Sequence, residues 1–300
     1  MSCKPLTDRA APMTRATGDG VWDQLWRTHP SDARDDALLD RERRGPRWNM
    51  IVKRLESTFG SIEGLKTIEL GSGRGDLSVL LAKRGARVTL LDASDRALAL
   101  AGQRFNRLGL AATYEQADLL GTQSPLRGRF DLALSSGVIE HFKGLDRTRA
   151  IQAHYDVVRA GGLALISVPN AWCIPYRVWK LYLELRGWWP YGMEMPYGRR
   201  ELIRRARKVG FAHTEIRCFG FWQSISSHWA RSIFRFEVDW SNWLSRFDSV
   251  CGSTLLLFAR HGEELAAGRR LSNVDCRTKM ADRQSAIGNR EPYVVTMETG

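Results

Sequence analysis

The sequence lacks the cysteine pattern of a metal site or of a disulfide framework. Its five cysteines are scattered along 300 residues, and no two of them stand in a CxxC pair. Isolated cysteines of this kind are typical of proteins in a reducing cytosol. We therefore expect neither a bound metal ion nor a structural disulfide.

Long apolar stretches are also missing. No run of about eighteen apolar residues occurs, which predicts that no helix of the chain crosses a membrane. The first residues, MSCKPLTDRAAPMTRATGDG, contain no apolar segment, so we expect no secretory signal there. These absences favour a cytoplasmic location, with peripheral attachment to the inner membrane surface as an extension of it.

Positive charge, by contrast, is in excess. The formal net charge is +12 and the isoelectric point is near 9.9. Half of this excess lies between Ala171 and Gly210, where nine Lys and Arg residues face three Asp and Glu residues. Such a segment favours anionic partners such as phospholipid headgroups, nucleic acid or phosphorylated substrates. A basic surface that only keeps the protein soluble is the alternative.

Short apolar runs alternate with helical patterns from Leu65 onwards. Strands are predicted at 66–70, 87–91, 112–116, 130–134, 162–168, 214–219 and 253–260, and helices at 76–85, 95–108, 146–159 and 199–209. This alternation predicts an α/β domain with a parallel sheet covered on both faces. The domain organisation that we expect is a flexible lead-in (1–20), a helical cap (21–60), an α/β domain (61–261) and a polar, disordered tail (262–300).

The first predicted strand runs into a glycine-rich turn, in which glycines stand at 71, 73 and 75. Alternate glycines allow a tight strand-to-helix turn and bring backbone amides close to a ligand. A dinucleotide fingerprint needs its third glycine where Asp76 stands, which disfavours a nicotinamide oxidoreductase. The second strand ends at Asp92, where a carboxylate can accept hydrogen bonds from both ribose hydroxyls.

Five features in this order resemble those of class I, S-adenosylmethionine-dependent methyltransferases, in the small-molecule (type 11/12-like) branch. They are the ExGxGxG loop at 69–75, the acid at Asp92, the Ala-Asp-Leu triplet at 117–119, FDLALSSGVIEHF at 130–142, and the RAGG turn at 159–162. The resemblance covers 66–170 closely and reaches Arg260 more loosely. It implies a Rossmann-like, seven-stranded, mostly parallel sheet with helices on both faces and an antiparallel last strand.

The resemblance also implies S-adenosylmethionine as the cofactor. The residues expected to bind it are Glu69, Gly71, Ser72, Gly73, Gly75, Asp92, Ala93, Ala117, Asp118, Leu119, Ser136 and Gly137. The glycine-loop amides and the backbone near Ser136 would hold the methionyl end, Asp92 the ribose, and Asp118 the adenine. His141, just past the fourth strand, is the candidate general base, with local structural support as the alternative.

Two aromatic and basic insertions, at about 171–198 and 220–250, are predicted to lie on the substrate side of the sheet. The substrate-side candidates are Trp172, Tyr176, Trp179, His213, Trp222 and His228. The aromatic helix that begins at Pro175 is followed by a basic helix, and this pattern has three interpretations. Residues 174–208 could contact a membrane interface, cover an apolar or sugar-like acceptor, or pack on the sheet.

No [DNS]PP[YFW] motif follows the fourth strand, which disfavours an amino-methyltransferase of nucleic acids. We expect methyl transfer to a small or lipid-linked acceptor, with oxygen as the target atom. Quinone-type precursors and glycan or glycolipid hydroxyls both fit. The alternatives are an RNA or protein methyltransferase that uses the basic segment, and a non-catalytic cofactor-binding module that docks partners through its insertions. The oligomeric state stays open.

Overall fold

The computed structural model of this chain describes residues 22, 24–26, 32–121, 124–226 and 245–262. The predicted flexible lead-in, the predicted disordered tail from residue 263 onwards, His228 and most of the second insertion lie outside these ranges.

Seven strands of the described chain form one mixed sheet. They are β1 (Lys66–Leu70), β2 (Arg87–Asp92), β3 (Ala112–Gln116), β4 (Phe130–Ser136), β5 (Val158–Pro169), β6 (His213–Phe219) and β7 (Thr254–Arg260). Their order in the sheet is β3-β2-β1-β4-β5-β7-β6. Strand β7 runs antiparallel to both of its neighbours, and the other pairs are parallel. The predicted fold class is confirmed.

Nine α-helices connect or flank these strands in the described residues. They are α1 (Asp32–Arg44), α2 (Pro46–Phe59), α3 (Asp76–Ala82), α4 (Asp95–Arg107), α5 (Asp146–Val157), α6 (Ile174–Leu185), α7 (Arg199–Val209), α8 (Phe221–Ser224) and α9 (Asp248–Cys251). Local chemistry sets several of the ends. Pro46 lies in the first turn of α2, where its missing N–H costs nothing, and the Ser94 hydroxyl accepts a hydrogen bond from Ala97 N at the start of α4.

The core lies on both faces of the sheet, because successive strand residues point to opposite sides. In β5, Ala164 and Ile166 belong to the cluster that α5 and α7 cover, whereas Leu163 and Leu165 belong to the cluster under α1 to α4. A strand buried on both faces must be apolar at every position, and the sequence ALIS at 164–167 comes close to that.

The helical segment that precedes the sheet is part of this core. Trp48, Ile51 and Leu55 of α2 are buried in the same cluster as Leu256 and Phe258 of β7. Removing α1 and α2 would therefore expose one face of the sheet.

Strand β5 begins earlier than predicted. The turn expected at 159–162 is part of the strand, and the pairing of β4 with β5 shifts its register between Phe130 and Leu132. A side chain at Gly162 would lie 2.6 Å from Val158 Cγ1, so glycine permits this irregular start of the strand. Among the described helices, none has both the length and the apolar character needed to span a bilayer.

Candidate active site

A cleft of about 990 Å³ opens at the carboxyl ends of β1, β2, β3 and β4. The strand order reverses between β1 and β4, and in open α/β sheets this point is where ligands bind. The walls of the cleft are built by the glycine loop after β1, the ends of β2 and β3, the segment after β4, and aromatic residues near the N-terminus. A volume of this size suits a nucleoside-sized ligand.

The glycine loop brings backbone close to the cleft. Gly71 has a φ of 66°, and a side chain placed there would lie 2.7 Å from Val138 Cγ1. Gly73 has a φ of 52°, and its side chain would collide with the ring of Trp26. Only glycine therefore fits at both positions.

Gly75 was expected to bind the cofactor, but it does not line the cleft. Its own side chain would lie 2.4 Å from Leu90 Cδ2, inside the core between β2 and α3. The third glycine thus permits close packing of the helix on the sheet, and a contact of this position with the cofactor stays a prediction.

Asp92 lies at the carboxyl end of β2 and is half-buried. Its Oδ2 accepts a hydrogen bond from Gly73 N at 2.7 Å, and its Oδ1 accepts one from Ser94 N at 2.9 Å. These bonds orient the carboxylate at the wall of the cleft. A carboxylate oxygen can accept two hydrogen bonds, which is the acceptor capacity that a ribose diol requires.

Glu69 is buried in the floor of the same cleft. Its Oε2 accepts hydrogen bonds from Ser78 N at 3.1 Å and from Ser78 Oγ at 2.6 Å, which ties β1 to the first turns of α3. Burial raises the pKa of the Glu69 carboxyl to about 7.

The loop also carries a polar atom that fits a ligand. The buried Ser72 hydroxyl has no hydrogen-bond partner among the described residues, although it lines the cleft. A buried hydroxyl of this kind costs free energy unless something bonds to it. Together with the two close-approach glycines, it fits a polar ligand lying against the loop.

The segment directly after β3 supplies Ala117, Asp118 and Leu119 to the cleft. The Asp118 carboxylate is exposed and accepts a hydrogen bond from Leu120 N at 2.9 Å, which shapes the turn. Ser136 and Gly137, at the end of β4, line the opposite wall.

Aromatic residues on the N-terminal side, which are absent from the predicted site residues, also line this cleft. Trp22 and Trp26 are one helical turn apart, and Leu25 and Leu38 lie beside them. The spacing of the two tryptophans was the available signal.

His141 lines the cleft, as expected for the candidate base. Its Nδ1 lies 2.7 Å from the carbonyl oxygen of Met193, so Nδ1 carries the hydrogen and donates it. The ring of Trp22 meets the imidazole edge-on, with centroids 4.7 Å apart. Burial lowers the pKa of His141, which keeps the ring neutral.

A second, smaller pocket of about 270 Å³ shares four lining residues with the cleft, namely Arg47, Ser136, Gly137 and Glu140. The rest of its lining is supplied by Ser167, Val168, Pro169, Tyr176, Gln223, Ser253 and Thr254. Arg47 donates from Nη1 to Ser136 Oγ at 2.7 Å and to Ser167 Oγ at 3.4 Å, and from Nε to Glu42 at 2.7 Å. No local sequence pattern points to Arg47, because its serine partners are far away along the chain.

The fold places some of the remaining substrate-side candidates at or beside the smaller pocket and others away from it. Tyr176 lines the smaller pocket and its hydroxyl donates to the Glu194 carboxylate. Trp222 lies in α8, next to the pocket residue Gln223. Trp179 packs edge-on against Trp189, with centroids 5.8 Å apart, and Trp172 is exposed.

His213 does not lie on the substrate side. It pairs with Arg260 of β7, which in turn pairs with Leu163 near the start of β5. Because β6 runs in the same direction as β5, its first residue lies at the amino edge of the sheet, opposite the cleft. The prediction for His213 was therefore wrong.

The doubly covered sheet of this order, the glycine loop after β1 and the acid at the end of β2 are arranged as in class I, S-adenosylmethionine-dependent methyltransferase domains. Residues 68–162 match a family described as "Methyltransferase domain".

Two relatives are named ubiquinone biosynthesis O-methyltransferase. The one from Leptothrix cholodnii is 31% identical over 119 residues, which is 39% of this chain and 49% of that protein. The one from Azotobacter vinelandii is 31% identical over 109 residues, which is 36% of this chain and 46% of that protein. The chain thus spans about half the length of the curated relatives it matches.

Among solved structures, magnesium protoporphyrin IX methyltransferase from Synechocystis PCC 6803, crystallised with bound SAH, has a similar fold. Its TM-score is 0.52 at 16% identity, and the match covers 82% of this chain and 94% of that one. At this identity the likeness concerns the fold alone.

Proposed function

We propose that this protein transfers the methyl group of S-adenosylmethionine to a hydroxyl oxygen of a small or lipid-linked acceptor of quinone type. The observation that supports this most directly is the junction of the large cleft and the smaller polar pocket at Ser136, Gly137 and Glu140. Two ligands bound in these spaces would meet at the end of β4. The relatives named for ubiquinone biosynthesis favour a ring hydroxyl as the acceptor group.

In this proposal the described residues act mainly by positioning. Asp92 would accept hydrogen bonds from the ribose hydroxyls, while the Ser72 hydroxyl would hold the methionyl end. The Asp118 turn would lie beside the adenine. The cofactor supplies an activated methyl group on a sulfonium, so in-line displacement requires chiefly a correctly placed oxygen.

Cofactor binding can be tested by calorimetry with S-adenosylhomocysteine. We expect Asp92→Ala to weaken binding roughly 10- to 100-fold, because it removes hydrogen bonds to a charged acceptor worth about 1.5–3 kcal/mol. Asp95→Ala is the matched control, since Asp95 is exposed, lies outside the cleft and should leave the affinity unchanged. Equal affinity of the Asp92→Ala variant and the wild type would contradict the ribose assignment.

The acceptor class can be tested with methyl-labelled S-adenosylmethionine and a bacterial lysate. We expect the label to appear in the lipid or small-molecule fraction, in a compound that carries a methoxy group. Label in the RNA or protein fraction would contradict the proposal and would favour an enzyme that uses the basic segment. No label, with cofactor binding intact, would favour a non-catalytic binding module.

A lipid-linked acceptor is supported by the surface of α6. The helix directs its charged Lys180 inwards, where the ammonium group binds Glu184 and lies 4.9 Å from the ring centroid of Trp189. Its apolar side chains point outwards instead, at a spacing that forms one stripe. The exposed members are Ile174, Val178, Leu181, Tyr182 and Leu185. An apolar stripe on a helix beside arginines is the arrangement of interfacial helices.

The basic helix α7 contributes less to such a surface. Arg205 bonds to Glu201 and to Thr148, Arg199 bonds to Ile216 O, and Arg207 bonds to Thr214. These arginines stabilise the fold around α7 and α5. Within 174–208, the contact with a membrane that we propose is therefore centred on α6.

Flotation on vesicles that contain anionic phospholipid tests this contact. We expect the wild type to float at low salt and the double variant Leu181→Glu, Leu185→Glu to stay in solution, because the two side chains are 54% and 79% exposed. Leu145→Glu, at a leucine 74% exposed outside the stripe, is the control and should float. Failure of the wild type to float would refute the proposed contact.

A further inference from the structure

The junction of the two cavities contains a buried acid that is not among the predicted site residues. Glu140 lies in a short 3-10 helix, Ile139–His141, directly after β4. Its side chain is only 2% exposed, yet it lines both the large cleft and the smaller pocket. Its Oε2 has no hydrogen-bond partner among the described residues. A buried carboxyl oxygen without a partner is costly unless a ligand bonds to it.

The charged and titratable groups around Glu140 come from several elements. Glu194 and Tyr176 form a hydrogen-bonded pair on one side, and Arg147 lies on the other, stacked 3.5 Å from the ring centroid of Tyr197. Arg47 shares both cavities with Glu140. Burial raises the pKa of the Glu140 carboxyl to about 8. Glu194 raises this pKa as well, whereas Arg147 and backbone hydrogen bonds lower it.

We propose that Glu140 is the catalytic residue that accepts the proton from the methylated hydroxyl, and that the smaller pocket binds the acceptor as a hydroxyaromatic ring. This inference rests on the proposed function. The Glu140 carboxylate is assigned this role because the residue lines both cavities and its Oε2 has no hydrogen-bond partner among the described residues.

The step balances without any further reactant. The acceptor O–H bond breaks and its proton passes to Glu140 Oε2. The acceptor oxygen forms a bond to the methyl carbon while the carbon–sulfur bond breaks, and the electron pair of that bond stays on sulfur. The Glu140 carboxylate becomes a carboxylic acid that releases its proton to water afterwards, and the cofactor would leave as a neutral thioether.

Glu140 suits this step better than its neighbour His141. The imidazole is engaged through Nδ1 with Met193 O and packs against Trp22, and it lines the large cleft but not the smaller pocket. A carboxylate with a pKa near 8 is also a much stronger base than an ordinary one, so it is matched to a hydroxyl proton. His141 thus supports the wall of the cofactor cleft.

Methylation of two probes, catechol and 4-nitrocatechol, separates a proton acceptor from a structural residue. The nitro group makes the ring hydroxyl far more acidic, so this probe reaches the pocket already ionised and needs no base. We expect Glu140→Gln to lose about a hundredfold or more in kcat with catechol, but to retain most of the wild-type rate with 4-nitrocatechol. The exposed Glu63→Gln variant is the control and should behave as the wild type with both probes.

Binding of 4-nitrocatecholate, followed by its visible absorbance, gives a readout that does not depend on turnover. In the wild type its affinity should fall as the pH rises through about 8, because the ionised carboxylate repels the anion. In Glu140→Gln this fall should be absent.

The outcomes are distinguishable. Equal losses with both probes, no loss with either, or an unchanged pH dependence of binding would overturn the proton-acceptor assignment. If the wild type binds S-adenosylhomocysteine but neither binds nor methylates the two probes, the hydroxyaromatic pocket is wrong. If the wild type does not bind S-adenosylhomocysteine, the proposed function itself fails.

Discussion

Replacing Glu140 with glutamine should stabilise the folded protein at alkaline pH. The neutral amide has nearly the shape of the protonated acid but cannot ionise inside the protein. Burial raises the pKa of Glu140 from 4.5 to about 8, so the folded state holds its proton over a pH range in which the unfolded chain has already released it. The stability linked to this group is complete below pH 4.5 and is lost as the pH rises through about 8.

The size of the effect follows from the shift in pKa. Each pKa unit corresponds to about 1.36 kcal/mol, so a shift from 4.5 to about 8 corresponds to about 5 kcal/mol. The difference in unfolding free energy between Glu140→Gln and the wild type should therefore be near zero at acid pH and reach about 5 kcal/mol above pH 8. Other titrating groups are common to both proteins and cancel in this difference.

Urea unfolding of both proteins at a series of pH values measures this difference directly. Glu63→Gln, at an exposed position, is the matched control and should show a flat difference across the series. A difference for Glu140→Gln that does not grow with pH, or a variant that is less stable than the wild type at alkaline pH, would refute the reasoning. A gain in stability with a loss of methyl transfer is the trade-off expected of a functional buried acid.

Three further predictions concern the surroundings of the cleft. Gly71→Ala should lower the unfolding free energy by more than about 1 kcal/mol and weaken S-adenosylhomocysteine binding, because the φ of Gly71 is 66° and Val138 Cγ1 lies 2.7 Å from the added carbon. An unchanged calorimetric affinity and an unchanged melting temperature would contradict this close approach. His154 bonds to Ser135 Oγ at 2.9 Å, and burial lowers its pKa to about 4. The contribution of His154 to stability is present above pH 6.5 and is lost on acidification towards pH 4. Urea unfolding should therefore show that the unfolding free energy of the wild type falls by about 3 kcal/mol more than that of His154→Gln across this window. Equal losses in the two proteins would refute this prediction. Trp26→Ala should weaken S-adenosylhomocysteine binding about tenfold in calorimetry, since the indole covers the glycine loop, and full affinity would show that it does not contact the ligand.

Much of the fold could be predicted from local patterns. The bounds of β1, β3 and α7 agree with the prediction to the residue, because alternating apolar residues and a terminating Gly210 are signals contained within each segment. The residues that line the cleft could be predicted for a similar reason, since a tight turn and an acid at a strand end are short-range features. Among the residues expected to bind the cofactor, only Gly75 lies away from the cleft, because a glycine that permits a turn and a glycine that permits packing look the same in sequence.

What only the tertiary structure decided is burial and long-range partnership. Glu140 and His141 are neighbours in the chain, yet one is buried at the junction of two cavities and the other packs against Trp22 and Met193. Arg47 bonds to serines 89 and 120 residues away, which no local pattern encodes.

The direction in which a side chain points is also decided by the tertiary structure. The sequence predicted an aromatic helix where α6 lies, but only packing determined that Lys180 turns inwards and that Leu181 and Leu185 face outwards. The sequence predicted His213 on the substrate side, whereas the direction of β6 places it at the opposite edge of the sheet. Secondary structure and turns depend on residues a few positions apart, whereas the environment of a side chain depends on which distant segments pack around it, and that arrangement exists only once the chain has folded.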